Sequence, residues 1–200
     1  EDRFDYRSFS WTKDGENIVF QTNFRPIYRY SGTSDYYSYN VASQELTLIA
    51  KDANTAEVSP DGNMVGMEKE GDMYVYNLKS GKEKRLTSDA RESVYNGRFG
   101  WAYEEEFGLV QAWKWSHDSR YLAYWQIDES EVPMFQMTDY EGRHPEWETL
   151  PYPKVGDSNP IAKIGVVDVN TGAQKWMDLD LAGGYVPRIY WTSKPGQLAV

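Results

Sequence analysis

Four stretches of the chain share one pattern: an apolar residue, a small polar residue, a turn containing Asp-Gly or its equivalent, and then an apolar strand. They read FSWTKDGENIVF (9–20), AEVSPDGNMVGM (56–67), WKWSHDSRYLAY (113–124) and IYWTSKPGQLAV (189–200). Each turn reverses the chain between two strands. In the second stretch Pro60 presets φ at the first turn position and Gly62 accepts the left-handed conformation. Anchored on Trp11, Val58, Trp115 and Trp191, the successive spacings are 47, 57 and 76 residues. They match propeller blades of about 40–50 residues, with insertions in the later ones. A blade buries its faces only by stacking on the next, so the Trp or Val before each turn is expected to pack between neighbouring blades. NLKSGKEKRLT and DVNTGAQKWMD fit the outer hairpins of such blades. A sandwich of similar short strands is the alternative.

Helical periodicity is nearly absent, and short alternating runs such as NIVFQ, DMYVYNL, YLAYWQI and KIGVVDV dominate. The expected fold is therefore all-β. Four anchors amount to about three blades with a fourth begun, whereas a closed propeller needs at least four. The chain also starts at Glu1 and stops in the strand-like GQLAV. The expectation is a partial β-propeller, one portion of a larger ring. Residues 133–163 break the rhythm with an insertion rich in Pro, Gly and aromatics. Its Met134, Phe135, Met137, Tyr140 and Trp147 are too apolar for a plain solvated loop and suggest a contact surface.

Charge and composition narrow the chemistry. With 21 Lys and Arg against 31 Asp and Glu, the net charge is −10, which repels phosphate backbones and argues against a nucleic-acid partner. There is no cysteine, hence no disulfide, thiolate metal site or cysteine nucleophile. No Asn-x-Ser/Thr sequon occurs, and no apolar run approaches the about 20 residues of a membrane-spanning helix. His117 and His144 are the only histidines; His117 occupies the turn position that Pro60 takes in a sister repeat, and a histidine metal cluster is not expected. Neither a nucleophile elbow, a phosphate-binding glycine loop, a dinucleotide fingerprint nor a cofactor motif is present. No catalytic triad can be assembled from these residues.

What remains is WAYEEEF (101–107), three consecutive glutamates among large apolar side chains. In an extended strand adjacent carboxylates point to opposite faces. In a helical turn they sit about 100° apart, so two of the three can lean towards one point while the third faces elsewhere. Such a pair is stable when a cation, either a bound ammonium or a nearby Arg, offsets the repulsion. A solvated acidic turn is the plain alternative.

Read together with its neighbours, this stretch resembles the propeller of the dipeptidyl peptidase IV family of prolyl-specific serine peptidases. The resemblance is carried by W-x-Y-E-E-E-F, by WKWSHDSRYLAYW (113–125), by DESEVP (128–133), by LPYPKVGDSNP (150–160) and by YRYSGTSDYYSYNV (28–41), and it spans about residues 8–170. It implies an eight-bladed propeller, of which this chain supplies about three to four blades, fused to a C-terminal α/β-hydrolase domain that holds the Ser, Asp and His of the triad. By position in the motif, the resemblance implies that Glu105 and Glu106 grip the substrate's α-ammonium. Arg29 would steady them and contact the carbonyl of the substrate's second residue, and Glu104 would face outward. Arg25 competes for the arginine role but fits the spacing less well.

The implied activity is removal of N-terminal dipeptides with Pro or Ala in second place, with no cofactor or metal. A tripeptidyl peptidase of the same superfamily and a non-catalytic binding propeller are the alternatives. The insertion at 133–163 falls where family members extend an arm into a homodimer contact. The absence of cysteines and sequons suggests a bacterial member, exported to the periplasm or cell surface.

Overall fold

The computed structural model describes residues 4–181 and 183–200. It is nearly all β, with one short helix. The first sheet is a seven-stranded meander in sequence order: β1 (Ser8–Trp11), β2 (Asn17–Pro26), β3 (Gly32–Asn40), β4 (Glu45–Val58), β5 (Met64–Lys69), β6 (Asp72–Asn77) and β7 (Lys82–Arg85). The second is built from β8 (Val94–Asn96), β9 (Trp113–Trp115), β10 (Tyr121–Asp128), β13 (Ile161–Asp168) and β14 (Gln174–Trp176). Helix α1 (Trp101–Phe107) lies between β8 and β9 in sequence. Two separate hairpins complete the chain: β11 (Met134–Asp139) with β12 (Glu146–Pro151), and β15 (Tyr190–Trp191) with β16 (Leu198–Ala199).

All four repeats form hairpins, and three share one hydrogen-bonded turn. Thr12, Ser59 and Ser116 each donate a hydroxyl to the aspartate two residues on, at 2.6 Å in every case. The same hydroxyls accept the amides of Asn17, Met64 and Tyr121 at 2.8–3.0 Å, which closes each loop. The donated proton holds the Asp14 carboxyl below the usual carboxylate range, as Ser116 does for Asp118. Gly15, Gly62 and Gly196 take positive φ, and in the third repeat Ser119 adopts the same left-handed conformation at φ 60°. Ser119 also accepts the Asp61 amide at 2.9 Å, so the second and third turns are bonded to each other.

The blades are not separate sheets. β4 is 14 residues long; its first part pairs with β3, and its last residues, from Ala53 to Val58, pair with β5. The crossover is a bend where Asp52 has positive φ and the register shifts. The last strand of one repeat thus becomes the first of the next without a break. Arg25 braces this bend, pairing with Asp35 and Asp52.

Tryptophans join the two sheets. Trp113 donates its indole N–H to Thr55 Oγ1 at 2.8 Å and Trp115 to the Glu57 carbonyl at 3.1 Å. Both rings lie so close to Gly66 that a Cβ there would be 3.0 Å from each. They bury themselves with Met73, Val75, Leu122, Tyr124 and Val167 in a core shared by both sheets. Trp191 repeats the arrangement one hairpin later, bonding the Lys114 carbonyl at 3.1 Å. The expectation that the residue before each turn packs between repeats therefore holds for Trp115 and Trp191, whereas Trp11 is exposed.

Residues of the 133–163 insertion form the β11–β12 hairpin and a following loop, and Ile161–Lys163 already belong to β13. Pairing of Met137 with Glu148 and Phe135 with Leu150 puts these four on one face; Met134, Thr138, Trp147 and Pro151 occupy the other.

Candidate amino-terminus binding site

The glutamates lie on α1, whose orientation is fixed from its apolar side. Tyr103 is fully buried, stacks on Phe99 with ring centroids 4.8 Å apart, and accepts the Val186 amide on its hydroxyl at 3.0 Å. Trp101 leans on Tyr152 of the LPYPKVGDSNP segment at 4.2 Å. Gly100 caps the start in extended conformation, and left-handed Gly108 ends the helix, its N–H donating to the Glu104 carbonyl and that of Leu109 to the Tyr103 carbonyl. A Cβ on Gly100 would stand 1.8 Å from Glu129 Oε1, so only glycine fits there.

With the helix so held, the three carboxylates separate. Glu104 does not face outward as expected: it is 1% exposed, and its Oε1 accepts the Tyr30 and Ser31 amides at 2.6 and 3.0 Å. The reason is geometric. Tyr103 and Glu104 are neighbours on the buried side of the helix, and the β2–β3 loop closing over that side presents two free amides which only an acceptor satisfies. Glu104 therefore ties the loop that carries Arg29 to the helix that carries Glu105.

The structure brings Arg29 and Glu105 together. Arg29 Nε lies 3.2 Å from both carboxylate oxygens. The Glu105 side chain is 17% exposed and that of Arg29 66%, so most guanidinium donors still face solvent. Glu106 is exposed on the next position round the helix. Its charge adds to burial in raising the Tyr185 phenol, which itself donates to Asn159 at 3.0 Å. Arg25, the competing arginine, is instead engaged by Asp35, Asp52 and the Asn23 carbonyl.

A cleft of about 570 Å³ opens over this pair. Tyr28, Arg29, Trp101 and Glu105 form one wall, and Met137 and Glu148 of the β11–β12 hairpin form another. Coupled to Tyr28 is a set of groups that sequence reasoning missed. Burial, only partly offset by Arg98, pushes the carboxyls of Glu68 and Glu129 up to about 7. Burial, aided by the charge of Glu129, raises the Tyr28 phenol to about 12. Arg98 stacks on Tyr95 at 3.8 Å. Tyr28 and Glu129 fall within YRYSGTSDYYSYNV and DESEVP, whereas Glu68 and Arg98 lie outside the motifs, and the only signal of a buried group was the polar character of Glu68 and Glu129 inside or beside apolar strands.

The EEE motif thus places a helix-borne carboxylate, paired with an arginine from a different repeat, on the wall of a cleft. The profile described as the dipeptidyl peptidase IV (DPP IV) N-terminal region matches residues 12–200. The chain belongs to the dipeptidyl peptidase IV family. Within that family it is 33% identical to pig dipeptidyl peptidase 4 over 82% of this chain and 22% of the relative. It is 30% identical to dipeptidyl aminopeptidase B of Saccharomyces cerevisiae over 96% of this chain and 23% of the relative. The crystal structure of Porphyromonas gingivalis dipeptidyl peptidase 4 superposes with a TM-score of 0.90 at 31% identity, covering 96% of this chain and 28% of that one. The chain thus spans about a quarter of the length of these dipeptidyl peptidase IV relatives.

Proposed function

We propose that this portion of the propeller anchors the free amino terminus of a peptide for an exopeptidase that releases N-terminal dipeptides. The observation that carries this reading is the Arg29–Glu105 ion pair on the wall of an open cleft. A peptide α-ammonium has three donors. Glu105 and Glu106, adjacent on the helix, offer acceptors for charge-assisted bonds worth about 1.5–3 kcal/mol each. Arg29 holds Glu105 through Nε alone, which leaves its other N–H groups for the carbonyl of the substrate's second residue. Fixing the ammonium fixes how many residues reach a nucleophile outside these residues, so the clamp sets product length. Pro or Ala in second place, an exported location and a homodimer contact through the outer face of the β11–β12 hairpin complete the proposal. On that face Met134 is 61% and Trp147 72% exposed.

The test is kinetic. In the full-length protein, Glu105→Gln should lower kcat/KM for free-amino X-Pro peptides by about 10–100-fold, and N-acetylated peptides should be refused. Unchanged kcat/KM in the variant, or equal turnover of acetylated peptides, rejects the clamp. Mass spectrometry of the released fragment separates dipeptide from tripeptide release.

A further inference from the structure

The cleft has a second acidic wall, whose carboxylate no described residue pairs with. Glu105 is neutralised by Arg29. Glu148, facing the same cleft from β12, is exposed and has no hydrogen bond or ion pair among the described residues. Its strand partner Met137 lines the cleft beside it, and Asp139 and Glu146 continue the same face of the hairpin towards its tip. Lys154, three residues beyond the hairpin, lies over the Phe135 ring at 4.7 Å. The wall is not loose. Phe135 packs on Tyr152 at 5.3 Å, Tyr152 carries Trp101 at 4.2 Å, and Leu150 is buried beneath them, so the hairpin base and α1 form one packed unit.

We propose that Glu148 is a specificity-determining residue that favours a cationic side chain, Lys or Arg, on the first residue of the bound peptide. The inference rests on the amino-terminus clamp proposed above. With the α-ammonium held at Glu105, the first side chain leaves the same Cα into the space between α1 and the hairpin. The methylene stem of Lys or Arg lies along Trp101 and Met137, and its charged head meets Glu148. An acidic side chain in that position meets an unneutralised carboxylate and is disfavoured; a neutral one is intermediate. Because Glu148 is exposed, the effect is modest and screened by salt.

The experiment compares Lys-Pro, Gln-Pro and Glu-Pro chromogenic substrates with free amino termini in the full-length protein at low ionic strength. The kcat/KM order should be Lys over Gln by about two- to fivefold and Gln over Glu by a similar factor, with both ratios shrinking at about 0.5 M salt. Glu148→Gln should flatten the series and Glu148→Lys should invert it. A series that is flat in the unmodified protein, or identical in Glu148→Gln, overturns the role of Glu148 while leaving the clamp intact. Failure to cleave any of the three free-amino substrates overturns both.

Discussion

The three Ser/Thr-Asp turns and helix α1 are both short polar segments, yet they are built in opposite ways. Each turn is closed by its own residues: the hydroxyl of Ser59 bonds Asp61 and Met64, and the bond from the Asp61 amide to distant Ser119 joins two such turns rather than closing either. α1 has seven residues and no side-chain cap, and beyond its glycine ends and the Phe99 ring its pose comes from partners far along the chain. These are Val186 on Tyr103, Tyr152 against Trp101, Glu129 against Gly100, and the Tyr30 and Ser31 amides on Glu104. Local closure makes a framework that repeats; non-local closure aims a side chain that occurs once. The geometry around Glu105 is accordingly set by the rest of the molecule.

That contrast can be broken in graded steps. Glu104→Ala leaves two buried amides without an acceptor and should cost about 3 kcal/mol. Hydrogen exchange in the full-length protein should accelerate at Tyr30 and Ser31, and Arg29 should lose its hold on Glu105 although neither residue was touched. Gly100→Ala drives a methyl into Glu129 and should cost about 2 kcal/mol by urea denaturation. Adding Glu129→Ala should recover much of that loss.

Glu68→Gln tests the buried polar group beside Arg98. Burial raises this carboxyl from 4.5 to about 7, so the protonated form is favoured in the folded state. Its contribution to stability is present below pH 4.5 and is lost as the pH rises through 7. The variant, which keeps an acceptor for the Gly71 amide, should therefore melt higher than the parent at pH 8, by the equivalent of about 1–2 kcal/mol, and equally at pH 4. Ser59→Ala should cost the least, about 1 kcal/mol, and leave the Arg29–Glu105 pair undisturbed. A loss of binding from Ser59→Ala as large as that from Glu104→Ala would erase the distinction between framework and aim.

The same contrast explains what could be read in advance. The hairpins were legible because hydroxyl, aspartate and glycine recur at the offsets a turn needs, and a helical turn at WAYEEEF was one of two readings the sequence allowed, the one in which two adjacent carboxylates can lean together. The family could be recognised because its motifs are short and contiguous. The direction of Glu104 was not legible: adjacent glutamates look alike until the β2–β3 loop closes over one of them. Nor was the unbroken run of β4, since the bend at Asp52 places an aspartate in left-handed conformation where a glycine would have announced a corner. Glu68, Arg98 and Glu129 converge only through folding, because they come from β5, the segment after β8 and the residue following β10.

The shared strand β4 has a mechanical consequence. Two repeats welded by one continuous backbone cannot shear past each other, so flexing of the ring is directed to the joint between the seven-stranded sheet and its neighbour. Arg29 rides on one side of that joint and Glu105 on the other. Any breathing there moves Arg29 against Glu105 before it disturbs a single strand.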